Sequence, residues 1–406
     1  MAKENKKKKK WVKIRHRVVR AVLGPPFHLY CKLRYGATIR RFKEEGKRQY
    51  LVLFNHQTAF DQFFAELSFK QHLYFLASED IFSKGFISSA LRYLVAPIPI
   101  KKQTTDVRAI MNCIRVAKEG GSIALSPEGN RTYCGRTGYM SPAIASLARK
   151  LGLPIAIYRI KGGYGVQPRW ADNVRRGKME CYVHRVIEPE EYAAMTDAEL
   201  FALIEKELYV DEARVDGIFR HRRNAEHLER LLYVCPHCGL TTFETYRDII
   251  ECKSCRTQVR HLPTKELEGI SYDCPYRFVA DWYDAQCDFV SRLDIEPLCA
   301  EPIWCESADF YEVIPNKKKQ LISKSARISL YGDRIHISTS KEEYHFDFAT
   351  SGAVTVLGRN KVNIYFDGKI YQFKGSKSFN GIKYVNLFNH CKNLIRGELN
   401  GKFLGL

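Results

Sequence analysis

The chain has 406 residues, of which 45% are hydrophobic and 27% are charged, and its formal net charge at pH 7 is +20. This length is enough for two or three domains that each bury a core. No apolar run approaches the roughly 18 residues that a membrane-spanning helix needs, and no apolar stretch follows the first lysines as in a secretory signal. We therefore expect neither a transmembrane helix nor export.

The first predicted element is a basic arm, which we place at residues 1–24. Residues 1–50 hold 17 Lys and Arg against three Glu, a net charge of +14, so most of the excess charge lies in one segment. Such a basic amphipathic helix is typical of a segment in an anionic membrane interface, with a solvated tail or a nucleic-acid-binding arm as the alternatives. We expect Gly24-Pro25-Pro26 to end this helix. Its apolar side chains recur at helical spacing between basic ones: Trp11, Ile14, Val18, Val19, Val22 and Leu23.

Strands and helices then alternate up to about residue 222. This pattern predicts an α/β domain over residues 25–222 with a mainly parallel sheet. Two of its helices are predicted at 107–118 and 141–151, and Thr196-Asp197-Ala198-Glu199 is typical of a capping box before a last helix. The strands are expected near 51–54, 73–77, 95–100, 122–126, 154–160 and 180–187.

The first polar loop of this domain contains a histidine five residues before an aspartate. It reads Asn55-His56-Gln57-Thr58-Ala59-Phe60-Asp61 and directly follows the apolar strand 51–54, at the sheet edge where ligands usually bind. An aspartate that accepts a hydrogen bond from one ring nitrogen leaves the other nitrogen of His56 free to act as a base. Because five residues on one helix would turn the two side chains apart, we expect a turn, with Asp61 in the first turn of the next helix.

A second loop about seventy residues later has the same layout, an apolar strand followed by charged residues beside a glycine. It contains Pro127-Glu128-Gly129-Asn130-Arg131-Thr132. The planar guanidinium of Arg131 suits a phosphate or a carboxylate. Gly129 permits close approach of the backbone, and Glu128 is a candidate to orient the arginine or a substrate hydroxyl. Either loop alone is more often an ordinary turn, so the prediction of a site rests on both together.

The two loops, in this order, resemble motifs of the glycerolipid acyltransferases, the family that includes the 1-acylglycerol-3-phosphate acyltransferases. Residues 55–61 match its first motif, and residues 127–132 match Pro-Glu-Gly-Thr-Arg-Ser except at Asn130 and Thr132. Lys102 stands where the family usually has an arginine, and Leu153-Pro154-Ile155-Ala156-Ile157 fits a looser fourth motif. The resemblance covers roughly residues 25–215.

The resemblance implies an enzyme that moves a fatty acyl group from a thioester, acyl-CoA or an acyl carrier protein, to the hydroxyl of a lysophospholipid. The expected reaction converts lysophosphatidic acid to phosphatidic acid, with another lysophospholipid or glycerol 3-phosphate as the alternative acceptor. His56, held by Asp61, would remove the hydroxyl proton. The residues that the resemblance assigns to the acceptor phosphate are Lys102, Glu128, Gly129, Asn130 and Arg131.

The resemblance also implies where in the cell the enzyme would act. Because phospholipid acceptors reside in the bilayer, it favours a cytoplasmic enzyme bound peripherally to the inner face of an anionic membrane through the basic arm. Docking of an acidic acyl carrier protein on the same arm is the alternative. No covalent acyl-enzyme is expected: Cys134 lies near the second loop, but nothing in the sequence couples it to a base.

Four of the thirteen cysteines form two C-x2-C pairs separated by thirteen residues: Cys235, Cys238, Cys252 and Cys255. Two such pairs predict a tetrahedral zinc ribbon, with iron in a rubredoxin-like site as the minor alternative. Four thiolates leave no open position, so the zinc is expected to be structural. The odd count and irregular spacing of the cysteines indicate a reducing cytosol rather than a disulfide framework. We place a helix at about 216–233 and the ribbon in a segment over 223–262.

The rest of the chain predicts a helical linker over 263–304, with a helix at 276–293, and an α+β domain over 305–406. In that domain, patterns of period two are followed by a helix at 381–396. Antiparallel strands capped by one helix resemble a pleckstrin-homology or GRAM-like domain, which would bind phosphoinositides or proteins, or pack on its neighbours. The strands are expected at 326–331, 334–339, 344–348, 354–357, 362–366 and 370–373.

A second class of function is a non-catalytic adaptor that binds a membrane or a nucleic acid, because basic proteins with zinc ribbons often bind nucleic acids. An α/β domain that had lost its catalytic function would tend to lose the polar residues of both loops. Here His56, Asp61 and the Glu128-Gly129-x-Arg131 pattern are all present. The sequence therefore favours the enzyme, and we expect no nucleic-acid partner.

Overall fold

The computed structural model describes residues 10–78, 86–100, 106–314 and 319–397. Its N-terminal half alternates helices and strands, with one short 3-10 helix at Lys43–Glu45. The elements are α1 (Ile14–Tyr35), β1 (Ala37–Ile39), β2 (Leu51–Phe54), α2 (Asp61–Ser68), β3 (Leu73–Ser78), α3 (Phe86–Leu94), β4 (Ile98–Ile100), α4 (Val107–Lys118), β5 (Ser122–Leu125), α5 (Ala143–Leu151), β6 (Ile155–Lys161), α6 (Gly163–Val166), β7 (Met179–Ile187), α7 (Pro189–Ala193) and α8 (Asp197–Leu208).

The seven strands that the described part of this half contains form one sheet in the order β1-β7-β6-β2-β5-β3-β4. The central strand β2 runs parallel to both β5 and β6, and only the β6–β7 pair is antiparallel. Leu51 and Leu53 of β2 face one buried cluster while Val52 and Phe54 face another, so both sides of the sheet are covered and the strand is apolar throughout. The prediction of an α/β domain with a mainly parallel sheet is confirmed, although β4 is shorter than the predicted strand 95–100.

The long helix α1 passes through Pro25 and Pro26, so the prediction that Gly24-Pro25-Pro26 ends the first helix is wrong. Proline lacks a backbone donor and normally interrupts a helix. Both prolines are exposed here, so water can reach the carbonyl groups that lose their partners. The turns that follow bury Cys31 and Tyr35 against the α/β core, and this packing continues the helix to Gly36.

None of the helices within the described ranges combines the length and the apolar character needed to cross a membrane.

The middle of the chain forms a ribbon of short strands: β8 (Val234–Cys235), β9 (Gly239–Leu240), β10 (Phe243–Tyr246), β11 (Ile249–Cys252), β12 (Gln258–His261) and β13 (Leu267–Ile270). The last four form an antiparallel sheet. The helix predicted over 216–233 is wrong, because only the 3-10 turn Leu228–Arg230 is helical there. Arg220 instead pairs with Arg176 through the backbone, and Phe219 is buried. Packing on the α/β domain therefore overrides the local helical preference.

The C-terminal part has one helix, a 3-10 turn at Glu296–Cys299, and then strands followed by a last helix. The elements are α9 (Val279–Ser291), β14 (Trp304–Glu312), β15 (Gln320–Leu330), β16 (Arg334–Ser338), β17 (Glu343–Asp347), β18 (Ala353–Leu357), β19 (Lys361–Phe366), β20 (Lys369–Lys374) and α10 (Ile382–Arg396). All pairings of these strands are antiparallel, in the order β17-β16-β15-β14-β20-β19-β18. The six predicted strands and both predicted helices are present, and the pleckstrin-homology likeness stays a prediction.

Strand β14 was missing from the sequence prediction, and a charged residue among its core positions explains why. Trp304, Ala308 and Phe310 are buried at even positions, but Glu306 breaks the apolar alternation between them. Its carboxylate pairs with the Lys383 ammonium group of α10 (2.9 Å). A charge that a distant helix neutralises cannot be recognised as a core position from local sequence.

The ribbon, α9 and the C-terminal domain pack on the α/β domain through one shared apolar cluster. Trp170 of the α/β domain, Cys252 of the ribbon and Phe310 of β14 all belong to this cluster. Arg230 adds polar links, because its Nη1 donates to the Trp170 carbonyl (2.7 Å) and its Nε to the Lys377 carbonyl (2.6 Å). The division of the chain at residues 222, 262 and 304 stays a prediction.

Candidate active site

His56 and Asp61 form a hydrogen-bonded pair in the turn between β2 and α2. The His56 Nδ1 atom lies 2.8 Å from Asp61 Oδ2, and Asp61 is the first residue of α2, as the spacing predicted. The buried carboxylate also accepts from the backbone N–H groups of Gln57 (2.5 Å) and Thr58 (2.9 Å) and from the Thr58 hydroxyl (2.6 Å). These local donors hold the Asp61 carboxylate next to His56 Nδ1, and the positive N-terminal end of the α2 dipole stabilises its negative charge.

The pair leaves one ring nitrogen of His56 to meet a substrate. An ionised carboxylate only accepts hydrogen bonds, so Nδ1 carries the hydrogen and Nε2 is the unprotonated nitrogen of the neutral ring. Burial lowers the pKa of His56 below its usual value, and Asp61 offsets this only in part. The imidazole is therefore neutral at pH 7. Since 23% of the side chain remains exposed, Nε2 is suited to take a proton from a bound hydroxyl group.

The second loop is bonded to the backbone of His56 on both sides. Glu128 Oε1 accepts from the His56 N–H (2.8 Å), and the Thr132 N–H donates to the His56 carbonyl (2.9 Å). Glu128 Oε2 accepts from the Gly138 N–H (2.8 Å), so both of its oxygens bind backbone. Burial raises the pKa of Glu128 to about 8. Glu128 thus joins the two loops, and its contact with a substrate stays a prediction.

Arg131 brings a positive charge next to the His56–Asp61 turn. Its Nε donates to the Gln57 carbonyl (3.2 Å) and its Nη2 to the Gln167 carbonyl (2.7 Å). Burial lowers its pKa to about 10, which still leaves the guanidinium charged at pH 7. In the same loop, Gly129 has φ 65°, a left-handed conformation that favours glycine, and Asn130 is half-buried.

Lys102, the expected cation after β4, lies outside the described residues. The structure contributes another cation that the sequence reasoning missed, Arg169 in the loop after α6. Its Nη1 donates to the Arg131 carbonyl (2.8 Å), and its guanidinium lies 3.9 Å from the centre of the Tyr133 ring. It is 5% exposed. Arg169 reaches the site because β6 pairs in parallel with β2, so that the loops after these strands meet at one sheet edge. The sequence predicted the strand but not this pairing.

Replacing Asp61 by asparagine is expected to lower kcat at least about 100-fold and to move the acidic limb of the pH–rate profile to lower pH. The Asp61 charge raises the pKa of His56, so its removal lowers that pKa further. The base then becomes protonated only at lower pH, which sets the direction of the shift. The measurement is kcat against pH, and Asp248→Asn, at an exposed aspartate of the ribbon, is the matched control. A shift of the acidic limb to higher pH would contradict the assignment of His56 as a base whose pKa is raised by Asp61.

The four cysteines of the two C-x2-C pairs lie together as predicted. Their Sγ atoms are all within 4.8 Å of one another, with 3.5 Å between Cys235 and Cys255 and 3.5 Å between Cys238 and Cys252. A tetrahedral ion bound at about 2.3 Å holds its ligands about 3.8 Å apart, so the four thiolates fit zinc. The His237 N–H also points at Cys235 Sγ (3.5 Å) and would support a thiolate there.

The histidine–aspartate pair and the arginine loop lie at one edge of the mainly parallel sheet, within a segment that a protein-family model matches. Residues 36–161 match the protein-family model described as Acyltransferase. This segment is thus an acyltransferase-family domain, and the chain is similar to the 1-acyl-sn-glycerol-3-phosphate acyltransferases.

Two curated relatives are chloroplastic 1-acyl-sn-glycerol-3-phosphate acyltransferases. The one from Brassica napus is 26% identical over 136 residues, 33% of this chain and 39% of the relative. The one from Arabidopsis thaliana is 24% identical over 136 residues, 33% of this chain and 38% of the relative. The chain thus spans less than half the length of these relatives. The crystal structure of the 1-acyl-sn-glycerophosphate (LPA) acyltransferase PlsC from Thermotoga maritima is 22% identical, with a TM-score of 0.40, over 48% of this chain and 78% of that chain.

Proposed function

We propose that the protein transfers a fatty acyl group from a thioester donor to the free hydroxyl of lysophosphatidic acid and so forms phosphatidic acid. The observation that carries this proposal is the His56–Asp61 pair, whose backbone is bonded to the loop of Arg131. That arrangement offers a base for a hydroxyl group next to a cation for a phosphate. The names of the curated relatives support the same acceptor.

The reaction is a direct transfer. The acceptor oxygen attacks the thioester carbonyl while His56 Nε2 takes the hydroxyl proton. A C–O bond forms, the C–S bond breaks, and the thiolate leaves with the proton that His56 returns. Asp61 stabilises the imidazolium that exists between these steps. A covalent acyl-enzyme is not required, and burial raises the pKa of Cys134 to about 11, which makes this nearby thiol a poor nucleophile.

The acceptor phosphate would lie against Arg131, with the backbone at Gly129, the Asn130 side chain and Lys102 as further contacts. Both Arg131 and Arg169 carry their charge at this edge of the sheet, and a phosphate monoester carries a charge of about −1.5 to −2 at pH 7. Another lysophospholipid or glycerol 3-phosphate is the alternative acceptor. The donor is acyl-CoA or an acyl carrier protein.

One assay tests the proposed reaction directly. Purified protein is given labelled acyl-CoA or acyl carrier protein and, in turn, each of a panel of lysophospholipids and glycerol 3-phosphate. We expect the highest turnover with lysophosphatidic acid. If none of these acceptors becomes acylated with either donor, the proposed function is wrong.

We also propose that the enzyme is cytoplasmic and binds the inner face of an anionic membrane through α1. Its exposed face carries Ile14 (81% exposed) and Leu33 (76% exposed), with basic residues beside them. Trp11 differs from the expectation, because it precedes α1 and its Nε1 donates to the Ala96 carbonyl (2.9 Å). The apolar face of α1 is therefore longer than the predicted arm. It also includes Val18, Val22, Leu23, Leu29 and Tyr30.

Replacing both Ile14 and Leu33 by serine is expected to weaken binding to anionic vesicles about tenfold, because two apolar side chains no longer enter the interface. The measurement is sedimentation with vesicles of phosphatidylglycerol and phosphatidylcholine. The matched control replaces two exposed isoleucines elsewhere, Ile218 and Ile395, by serine. Equal sedimentation of the two double variants would reject α1 as the membrane contact.

A further inference from the structure

The C-terminal domain touches the candidate active site through the end of β18 and the turn that follows it. Arg169 Nη2 donates to the Val356 carbonyl of β18 (3.3 Å), while Nη1 of the same guanidinium donates to the Arg131 carbonyl (2.8 Å). Three residues after Arg169, Asp172 pairs with Nη1 of Arg359 in the β18–β19 turn (2.8 Å). One arginine therefore connects the C-terminal domain to the loop that carries the candidate phosphate ligand.

Buried side chains fix this contact. Arg169 is 5% exposed and Arg230, which pairs with Asp172 at 2.8 Å and with the Lys377 carbonyl of the C-terminal domain, is 3% exposed. The side chain of Asp172 is 35% exposed, so removing it is costly mainly because the buried Arg230 charge then stays desolvated without its ion-pair partner. The contacts of Arg169 and Arg230 therefore hold the C-terminal domain next to the proposed acceptor site.

Three arginines, Arg169, Arg230 and Arg359, make polar contacts where the two domains meet, and Asp172 pairs with the last two. Burial would raise the pKa of Asp172, but Arg230 and Arg359 outweigh burial and keep this carboxyl group ionised. The charge of Arg359 also reaches Arg131, whose pKa it helps to lower. Like charges gathered in this way are relieved by a bound anion. The basic groups of this region are Arg131, Arg169, Arg230 and Arg359, and the acidic groups are Asp61, Asp172, Glu226 and Glu229, with the His227 ring between Asp172 and Glu229.

We propose that the C-terminal domain completes the acceptor site: Arg359 binds the phosphate monoester of the acceptor together with Arg131, and Arg169 positions the Arg131 loop. This inference rests on the proposed acyl transfer to such an acceptor. The Arg359 side chain is 35% exposed, and its pairing with Asp172 occupies one of the five N–H donors of a guanidinium. Both Arg169 and Arg359 lie outside residues 36–161, so the family match contains neither of them.

The test compares Arg359→Gln with Lys369→Gln. Lys369 is the exposed first residue of β20 and pairs with Phe366 at the far end of β19, so both variants remove one positive charge from the same domain. Arg359→Gln is expected to raise KM for lysophosphatidic acid about tenfold, with kcat and KM for the acyl donor within about twofold of the wild type. Lys369→Gln is expected to match the wild type. Asp172 retains Arg230 as a partner in Arg359→Gln, so the fold should persist, and thermal melting checks this.

Equal acceptor KM values for Arg359→Gln and Lys369→Gln, with the wild type active, would overturn the inference and leave the proposed function intact. A wild type without turnover would count against the proposed function itself. In that case calorimetric titration with glycerol 3-phosphate tests whether Arg359 binds phosphate, independently of turnover. Weaker binding to Arg359→Gln than to the wild type supports the phosphate site, and equal binding or no binding to either protein rejects it. Arg359→Lys, which retains the charge, is expected to recover most of the loss in either assay.

Discussion

Replacing His56 by alanine is expected to reduce kcat for acyl transfer to lysophosphatidic acid about 10³-fold. The variant lacks Nε2, the nitrogen that takes the hydroxyl proton, while the groups that bind the phosphate remain. KM for the acceptor should therefore change little. The measurement is the initial rate with labelled acyl-CoA at saturating acceptor.

The variant should fold normally. Asp61 loses the imidazole but retains the backbone N–H groups of Gln57 and Thr58 and the Thr58 hydroxyl. His184→Ala is the matched control, since this histidine lies on β7 and pairs with Glu207 rather than with Asp61. Full turnover in His56→Ala would show that His56 is not the base.

Removing the metal of the ribbon is expected to have the largest effect on stability. Structural zinc supplies about 10–16 kcal/mol of binding free energy in zinc-finger peptides, and loss of part of this should lower Tm by about 10 °C or more. Cys252 belongs to the apolar cluster that joins the ribbon to α9 and to the C-terminal domain, so a disordered ribbon would loosen both. The variant is Cys252→Ser, measured by metal analysis and thermal melting.

Cys305→Ser is the control for the ribbon variant, because Cys305 is an exposed thiol outside the group of four. It should retain about one zinc per chain and the melting temperature of the wild type. Freshly purified wild-type protein with far less than one metal ion per chain would contradict a structural zinc site. The hydrogen-bond partners of His56 are Asp61, Glu128 and Thr132, none of which belongs to the ribbon, so loss of the ribbon is expected to affect turnover only through the fold.

Most of the helices and strands could be predicted from local sequence patterns, namely the spacing of apolar residues and the residues that cap helices. The boundaries of α4 match the prediction of 107–118, because its apolar positions recur at helical spacing and Asp106 caps its first turn. The capping box at Thr196 begins α8 as predicted. The predictions were wrong where distant contacts decide the local conformation. Helix α1 continues past Pro25 and Pro26 because Cys31 and Tyr35 on one side of its second half are buried, and the segment 216–233 follows the surface of the α/β domain.

The same distinction applies to the candidate site. The pair of His56 and Asp61, the loop of Arg131 and the four cysteines could all be predicted from the amino-acid sequence, because each group is set by short spacings along the chain. The positions of Arg169 and Arg359 next to the Arg131 loop could not, because they depend on contacts between distant parts of the chain. Arg169 follows β6, which becomes a neighbour of β2 through sheet pairing, and Arg359 arrives with a domain that is about 190 residues further along. Contacts of this kind depend on how strands and domains pack, and no local pattern records them.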